Sequence, residues 1–321
     1  MILIVTEQSD LTADLVIRAL SARNAPVLRL NCERLLGDVE VQCLYPGDCS
    51  TLRTEDGRKV PLTNIRSVWY RRPALPTANP ALAPPFQQFA QREAWAHTLG
   101  VLLSLDAAWM SDPMAVWRAN HKAFQLALAS RMGFHVPRSC ITRSVAEASA
   151  FASAIKGPVV AKPVTYGSVE DGDRELAIYT TRLPVGPPTP AFEGIELSPV
   201  ILQEEVAKNA DLRVTVVGTK VFAVAIDSQA RPETRVDWRR PTDGRLAHTP
   251  VLLPTALEEQ ILAFVGRLGL EYAALDFVER TDGSHTFLEI NPNGQWGWLQ
   301  QETGLDIAGA VADRLIAMGA R

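Results

Sequence analysis

Asp276, Glu289 and Asn291 carry oxygen ligands in otherwise apolar stretches, AALDFVE and TFLEINPNG. A strand alternates its side chains with period two, so Glu289 and Asn291 share one face before Pro292 and Gly294 end the strand. Such a pair could be a solvated strand end, or two hard ligands for a divalent cation. Asp282-Gly283, between the two runs, signals a two-residue hairpin turn, and with that turn Asp276 falls directly opposite Glu289. Cross-strand neighbours have Cβ atoms ~4.5–5.5 Å apart, and like charges there are destabilising. Two carboxylates among Ala273, Ala274, Leu275, Phe277, Phe287, Leu288 and Ile290 therefore cost stability unless a cation lies between them or arginines pair with them. Two carboxylates and an amide oxygen, with the remaining positions left to water and phosphate, suit magnesium bound with a nucleotide. A loop one residue longer would break the pairing.

Other residues could meet the nucleotide's charge. Lys162 lies in the apolar run VVAKPV, and Pro163 forces it into an extended conformation, so it belongs to a strand. Its ammonium either meets an anion or snorkels to water. The loop after it, TYGSVEDGD, offers Gly167 and backbone amides that could fold over phosphates, although it is poorer in glycine than a P-loop. Gln203-Glu204-Glu205 end an apolar strand and could read an adenine edge and a ribose, or simply form a polar terminus. Arg213 alternates with valines in DLRVTVVG. Arg71-Arg72 in WYRRP and Arg239-Arg240 in DWRR stand beside aromatics, where they could hold phosphate or carboxylate bidentately or form structural stacks. Lys122 sits beside a helical stripe of Trp117, Phe124 and Leu128, and from the helix alone it reads as facing solvent.

The elements that must position these residues follow from the apolar pattern. MILIVT is a buried strand, Ala13–Arg23 a helix and Pro26–Leu30 a second strand, a βαβ-like start with a parallel sheet. Its first turn, TEQSD, has no glycine, which excludes a dinucleotide fingerprint. Two weak strands flank Asp56-Gly57, a strand runs over Ile65–Tyr70, and proline-rich ALPTANPALAPP leads into a helix near Phe86–Leu105. Asp112 caps a helix expected to run unbroken from Pro113 to Gly133. HVPRSCIT, GPVVAKPV, LAIYTT, VILQEEV, LRVTVVG, KVFAVAID and AALDFVE read as strands, with helices over VAEASAFASAI, Thr255–Gly269 and Ile307–Met318.

The chain has 321 residues, 47% hydrophobic, with a formal net charge of −4. That balance gives no electrostatic grip on nucleic acid or an anionic membrane, and no apolar run approaches a membrane span. The four cysteines show no metal-ligand spacing, which fits a reducing cytoplasm.

From about Asp112 to the C-terminus, the ordered set NHKAFQLALASRMGFHVPRSCIT, VVAKPV, LQEEV, DLRVTVVG, ALDFV and LEINPNG resembles the ATP-grasp superfamily. The resemblance implies a Rossmann-like N-terminal domain (1–110), then a two-subdomain ATP-grasp fold with a central part (111–196) and a C-terminal part (197–321). The fold class is therefore α/β followed by α+β. It makes Lys122 and Lys162 the nucleotide lysines and Gln203, Glu204, Glu205 and Val206 the hinge that reads adenine. Tyr166, Gly167 and Ser168 become phosphate-loop residues and Asp211 the ribose acid. Arg213 and Arg239 become catalytic arginines, and Asp276, Glu289 and Asn291 the ligands of magnesium, two ions, bound with ATP. WYRRP, DLRVTVVGTKVFAVAIDS, the VDWR of 236–239 and EINPNGQWGWLQQETGLDIAGAVADRL resemble more closely the microviridin-type ligases that macrocyclise ribosomally made precursor peptides.

Such an enzyme would activate a peptide Asp or Glu as an acyl phosphate and join it to Ser, Thr or Lys of the same peptide. It would recognise a leader segment near residues 171–200, and the resemblance also allows a homodimer. Three alternatives stand beside it. One is a ligase of the same fold that adds glutamate or another amino acid, or joins small carboxylates to amines. Another is a phosphotransferase, although no HRD or DFG element follows VVAKP. The third is a non-catalytic nucleotide-binding module.

Overall fold

The run Ile2–Thr6 is buried at every residue, as a central parallel strand covered on both faces must be. In the computed structural model it lies between Val27–Asn31 and Ser67–Tyr70, with Ala108–Met110 beyond, all parallel. The structure describes every residue except 47–49, 166, 172–173, 185–191, 241–242 and 321. Asp10 caps the helix Leu11–Ala22 by accepting from the Thr12 and Ala13 amides. That helix shares a core with the chain's last helix, Ile307–Gly319, so the C-terminal segment folds back onto the N-terminal sheet. The weak strands around Asp56-Gly57 form, as Thr51–Arg53 and Lys59–Pro61, with Glu40–Gln42 as a third partner.

Two larger antiparallel sheets and one two-stranded hairpin make up the remaining strands among the described residues. The smaller orders its strands Thr181–Arg182, Val159–Pro163, Val200–Glu204 and Ser139–Thr142. The larger runs His248–Val251, Lys220–Ile226, Lys208–Val217, Tyr272–Arg280 and His285–Asn291. Phe264, Phe277, Phe287 and Phe134 form its aromatic centre, with ring centroids 5.3–5.8 Å apart.

Three expectations need correction. The helix over 113–133 is two helices, Pro113–Ala119 and Lys122–Arg131, broken at Asn120-His121. The break takes Trp117 out of phase with Phe124 and Leu128, so Trp117 is 63% exposed and not part of a buried stripe. The segment 165–174 is not an open loop, because Ser168–Asp171 pairs with Arg174–Ala177 as a hairpin. That hairpin leaves Ile178–Thr180 outside any strand, so LAIYTT is not continuous. Among the described residues no helix is long and apolar enough to cross a membrane.

Arg71 ties the N-terminal sheet to the loop 291–296. It is fully buried, ion-paired to Asp10 at 3.3 Å, and donates to the Asn293 carbonyl (2.5 Å), the Gly294 carbonyl (3.1 Å) and Gln295 Oε1 (2.8 Å). A guanidinium can satisfy four acceptors at once in a fixed plane; an ammonium cannot. Arg71→Met would leave Asp10 buried without its cation and the Asn293 carbonyl without its donor, while the Gly294 carbonyl and Gln295 Oε1 would keep only Tyr272 Oη and Thr12 Oγ1. Urea denaturation should show roughly 3–5 kcal/mol lost, and a loss below about 1 kcal/mol would mean the clamp is not structural.

Candidate active site

Three adjacent strands set Arg213, Asp276 and Glu289 in one row, since Arg213 pairs with Asp276 and Asp276 with Glu289. The carboxylate pair arises by a route the sequence does not display. The hairpin loop holds three residues, 281–283, closed by Arg280 N–H on the Ser284 carbonyl at 2.8 Å, with Gly283 at φ +79°. That loop alone would put Asp276 out of register with Glu289. A bulge opposite Asp276–Phe277 inserts Leu288 as one extra residue and restores the pairing.

Each carboxylate has its own cation. Arg213 Nη1 donates to both oxygens of Asp276 (2.8 and 3.0 Å), and the Lys122 ammonium lies 3.1 Å from Glu289. Lys122 also donates to the Pro163 carbonyl at 3.3 Å, linking helix, small sheet and large sheet at one point. The pairing that arginines or lysines could supply is therefore present in the protein itself. Gly294 keeps the loop close: a Cβ there would stand 2.6 Å from Arg213 Nη2 and 2.5 Å from Ala274 Cβ. Arg213 Nη2 and Tyr272 Oη donate to the Gln295 and Gly294 carbonyls (3.1 and 2.6 Å).

A cavity of about 680 Å³ opens over this row. It brings together Lys162, Asp211, Arg213, Arg239, Asp276, Glu289 and Asn291. Arg239 forms a forked pair with Asp237, 2.7 and 2.9 Å, and Asp211 meets Lys208 at 2.7 Å. The hinge residues lie away from the cavity lining. Gln203 donates to Ser139 Oγ at 2.8 Å, Glu205 pairs with Arg182, and Glu204 and Val206 do not border the cavity. Gln203 is nonetheless opposite Val160, two residues from Lys162 on the neighbouring strand. Gly167 and Ser168 lie at the base of the 168–177 hairpin, outside the lining, and Tyr166 falls outside the described residues. Of the two open arginines, Arg71 is the buried clamp and Arg72 borders the cavity. Sequence reasoning missed the Asp237 and Lys208 partners; DWR and the odd-looking Lys208 beside an apolar strand were the available signals.

Among the described residues no three His, Cys, Asp or Glu side chains cluster as a metal site. A cation held here must take two carboxylates and complete its shell from Asn291, water and phosphate, a donor set that magnesium accepts. Asn293, which borders the cavity, has its buried Oδ1 without a hydrogen-bond partner among the described residues.

The family model described as the RimK-like ATP-grasp domain matches residues 119–315. The chain belongs to the RimK-like ATP-grasp family. A second match, to the MvdD pre-ATP grasp domain, covers residues 1–118. The ATP-grasp fold expected from the sequence is thus the fold observed. The macrocyclase MdnC from Microcystis aeruginosa, solved with precursor peptide MdnA, is 27% identical, with a TM-score of 0.88 over 99% of each chain. A RiPP-associated ATP-grasp ligase of Chryseobacterium gregarium, solved with ADP and leader and core peptides, is 27% identical, with a TM-score of 0.88 over 98% and 96% of the two chains. The ribosomal protein bS6 glutamate ligase of Salmonella newport is 26% identical over 204 residues, 63% of this chain. The chain spans 65% of that protein's length.

In this ATP-grasp chain the charges are not all balanced. Burial pushes the Asp276 carboxyl above its ordinary range, opposed by Arg213 and reinforced by Glu289. For Glu289 burial also works upward, but Lys122 and Lys162 outweigh it and hold the carboxyl low. Burial pulls the Lys162 ammonium from its ordinary 10.5 down to about 8, Glu289 opposing and Lys122 adding to the fall. Among the described residues no carboxylate is within ion-pair distance of Lys162. Between about pH 8 and pH 10.5 the unfolded chain therefore keeps a proton that the folded one gives up, so the cost of burying this ammonium falls, and stability rises, as pH rises through that window. An anion bound at Lys162 reverses the shift, and binding must then take up a proton. Calorimetry of ADP binding near pH 9, in buffers of different ionisation enthalpy, should show uptake that Lys162→Met abolishes. Uptake that survives Lys162→Met, or none in the wild type, would place the phosphates elsewhere.

Proposed function

We propose that this protein is an ATP- and magnesium-dependent ligase that closes rings within a ribosomally made peptide. The observation that carries the reading is the Asp276–Glu289 pair, cross-strand neighbours beside Asn291 on a cavity that also holds Lys162, Arg213 and Arg239. Asp276, Glu289 and Asn291 would hold magnesium, two ions on the family resemblance, and bound there it would neutralise phosphate charge. Lys122 and Lys162 would hold phosphate oxygens, and Arg213 would face the charge that develops in transfer. Val159–Pro163 and Val200–Glu204 run side by side, so a nucleotide with its phosphates at Lys162 could extend its base toward Gln203–Val206. Glycine 167, Ser168 and Tyr166 would belong to the covering hairpin, and Asp211 would meet the ribose after exchanging Lys208.

The reaction is then in two steps. A peptide Asp or Glu carboxylate attacks the γ-phosphorus of ATP, forming an acyl phosphate and expelling ADP. A Ser or Thr hydroxyl, or a Lys amine, attacks the acyl carbon, loses its proton and expels phosphate, leaving an ester or amide. Arg239, held in plane by Asp237, would orient the carboxylate. Support for a peptide substrate comes from the relatives that resemble the chain over nearly its whole length, MdnC with a precursor peptide and the Chryseobacterium ligase with leader and core peptides. A leader would dock near residues 171–200, of which 172–173 and 185–191 lie outside the described residues. A glutamate-adding ligase is the second reading, favoured by the bS6 ligase match.

Incubation with ATP, magnesium and a pooled library of peptides containing Asp, Glu, Ser, Thr and Lys should yield products lighter by one water per ring. Glu289→Gln should lower ring formation at least ~100-fold without unfolding the protein, because the amide keeps the volume. Products heavier by one amino acid residue, with no water loss, would replace ring closure by the second reading.

A further inference from the structure

A second concavity, about 410 Å³, lies against the catalytic cavity and shares Gln295 and Trp298 with it. One wall is the outer face of the first helix, with Leu11, Leu15 and Arg18; the other is the start of the helix Gly297–Thr303. Gly297 brings the two walls together, since a Cβ there would already stand 3.3 Å from Thr12 Oγ1 and 3.5 Å from Leu15 Cδ1. The groove has an apolar floor open to water: Leu11 is 76% exposed although it opens a well-capped helix. Its charges are unequal. Asp14 is committed to Arg29, whereas Arg18 forms no ion pair among the described residues.

A side chain in the middle of a peptide can reach the phosphates only if the backbone on both sides leaves the cavity. The groove offers a path for one of those sides, since Trp298 borders both it and the catalytic cavity, and it carries Arg18, which has no ion pair among the described residues. Trp298 is itself held by Trp238 and His248, at ring-centroid distances of 5.3 and 4.9 Å, so this threshold is fixed. We propose that the groove between the first helix and the Gly297–Thr303 helix receives the peptide segment flanking the reacting side chain, an apolar residue against Leu11 and Leu15 and an acidic residue on Arg18. This rests on the peptide-ligase reading, and an Asp- and Glu-bearing substrate supplies the complementary charge.

Leu11 and Arg18 are exposed, and an acid in the first turn suits the helix dipole, so Leu11→Asp and Arg18→Glu should fold normally. With a library peptide that the wild type cyclises, each should raise KM roughly tenfold with kcat unchanged, and a version of that peptide trimmed of its flanking residues should respond equally to wild type and variants. A Lys in place of the flanking acid should restore Arg18→Glu. Unchanged KM for the long peptide, or equal loss on the trimmed one, overturns the proposal. A photo-reactive benzophenone amino acid at position 11 separates this from the ligase reading. Library peptides cross-linked without ring formation keep the groove and sink the macrocyclase; rings without cross-links sink the groove; neither sinks both.

Discussion

Two carboxylates lie between two cations along one line of the molecule: Arg213, Asp276, Glu289, Lys122. Each member sits in low-dielectric surroundings where an isolated ion would be expelled or neutralised, and the like-charged central pair is tolerable because each carboxylate has a cation on its outer side. The line crosses three strands and ends on a helix, so the register of the large sheet, the bulge at Leu288 and the start of the Lys122–Arg131 helix are all constrained by it. Gly294 and Arg71 serve the same line from below by bringing the 291–296 loop against Arg213.

The balance is local. Asp276 and Glu289 are matched by Arg213 and Lys122, Asp211 by Lys208 and Asp237 by Arg239. Lys162, buried on an otherwise apolar strand, has no ion pair among the described residues. A site built this way favours a ligand that brings several negative charges together with a compensating cation. Adding phosphate without metal would overload the carboxylates; adding metal without phosphate would crowd Lys122 and Arg213. The two arriving together would disturb the line least, which is a physical reason for the proposed magnesium and nucleotide to bind as one unit.

Much of this was legible in the sequence. The parallel start, the buried strand with Lys162 and the strands with Asp276 and Glu289 follow from apolar runs and turn residues, and all form. The Asp276–Glu289 pairing is correct although the turn has one more residue than Asp-Gly suggests, because a bulge cancels the difference; no local signal marks Leu288 as the extra residue. Lys122 shows how far helical phase can mislead. Periodicity orients a side chain relative to its own helix, and the helix breaks at Asn120-His121, so Lys122 turns inward to Glu289. Arg71 was ambiguous for a related reason: its acceptors are backbone carbonyls more than 200 residues away. The separation of the hinge from the cavity lining reflects side-chain partners, Ser139 and Arg182, that no spacing rule connects to it.

The return of the final helix to the first sheet has a consequence for how the protein could be divided or recombined. Ile307, Val311 and Leu315 share a core with Ile2, Ile4 and Leu20, so the first and last segments of the chain fold as one body. A chimera that exchanged only the N-terminal segment for a relative's would set a foreign sheet against a native helix, and the mismatch would be felt in the packing beneath Trp296. The unit to exchange is therefore the N-terminal parallel sheet together with the Ile307–Gly319 helix, with the antiparallel sheets as the insert between them.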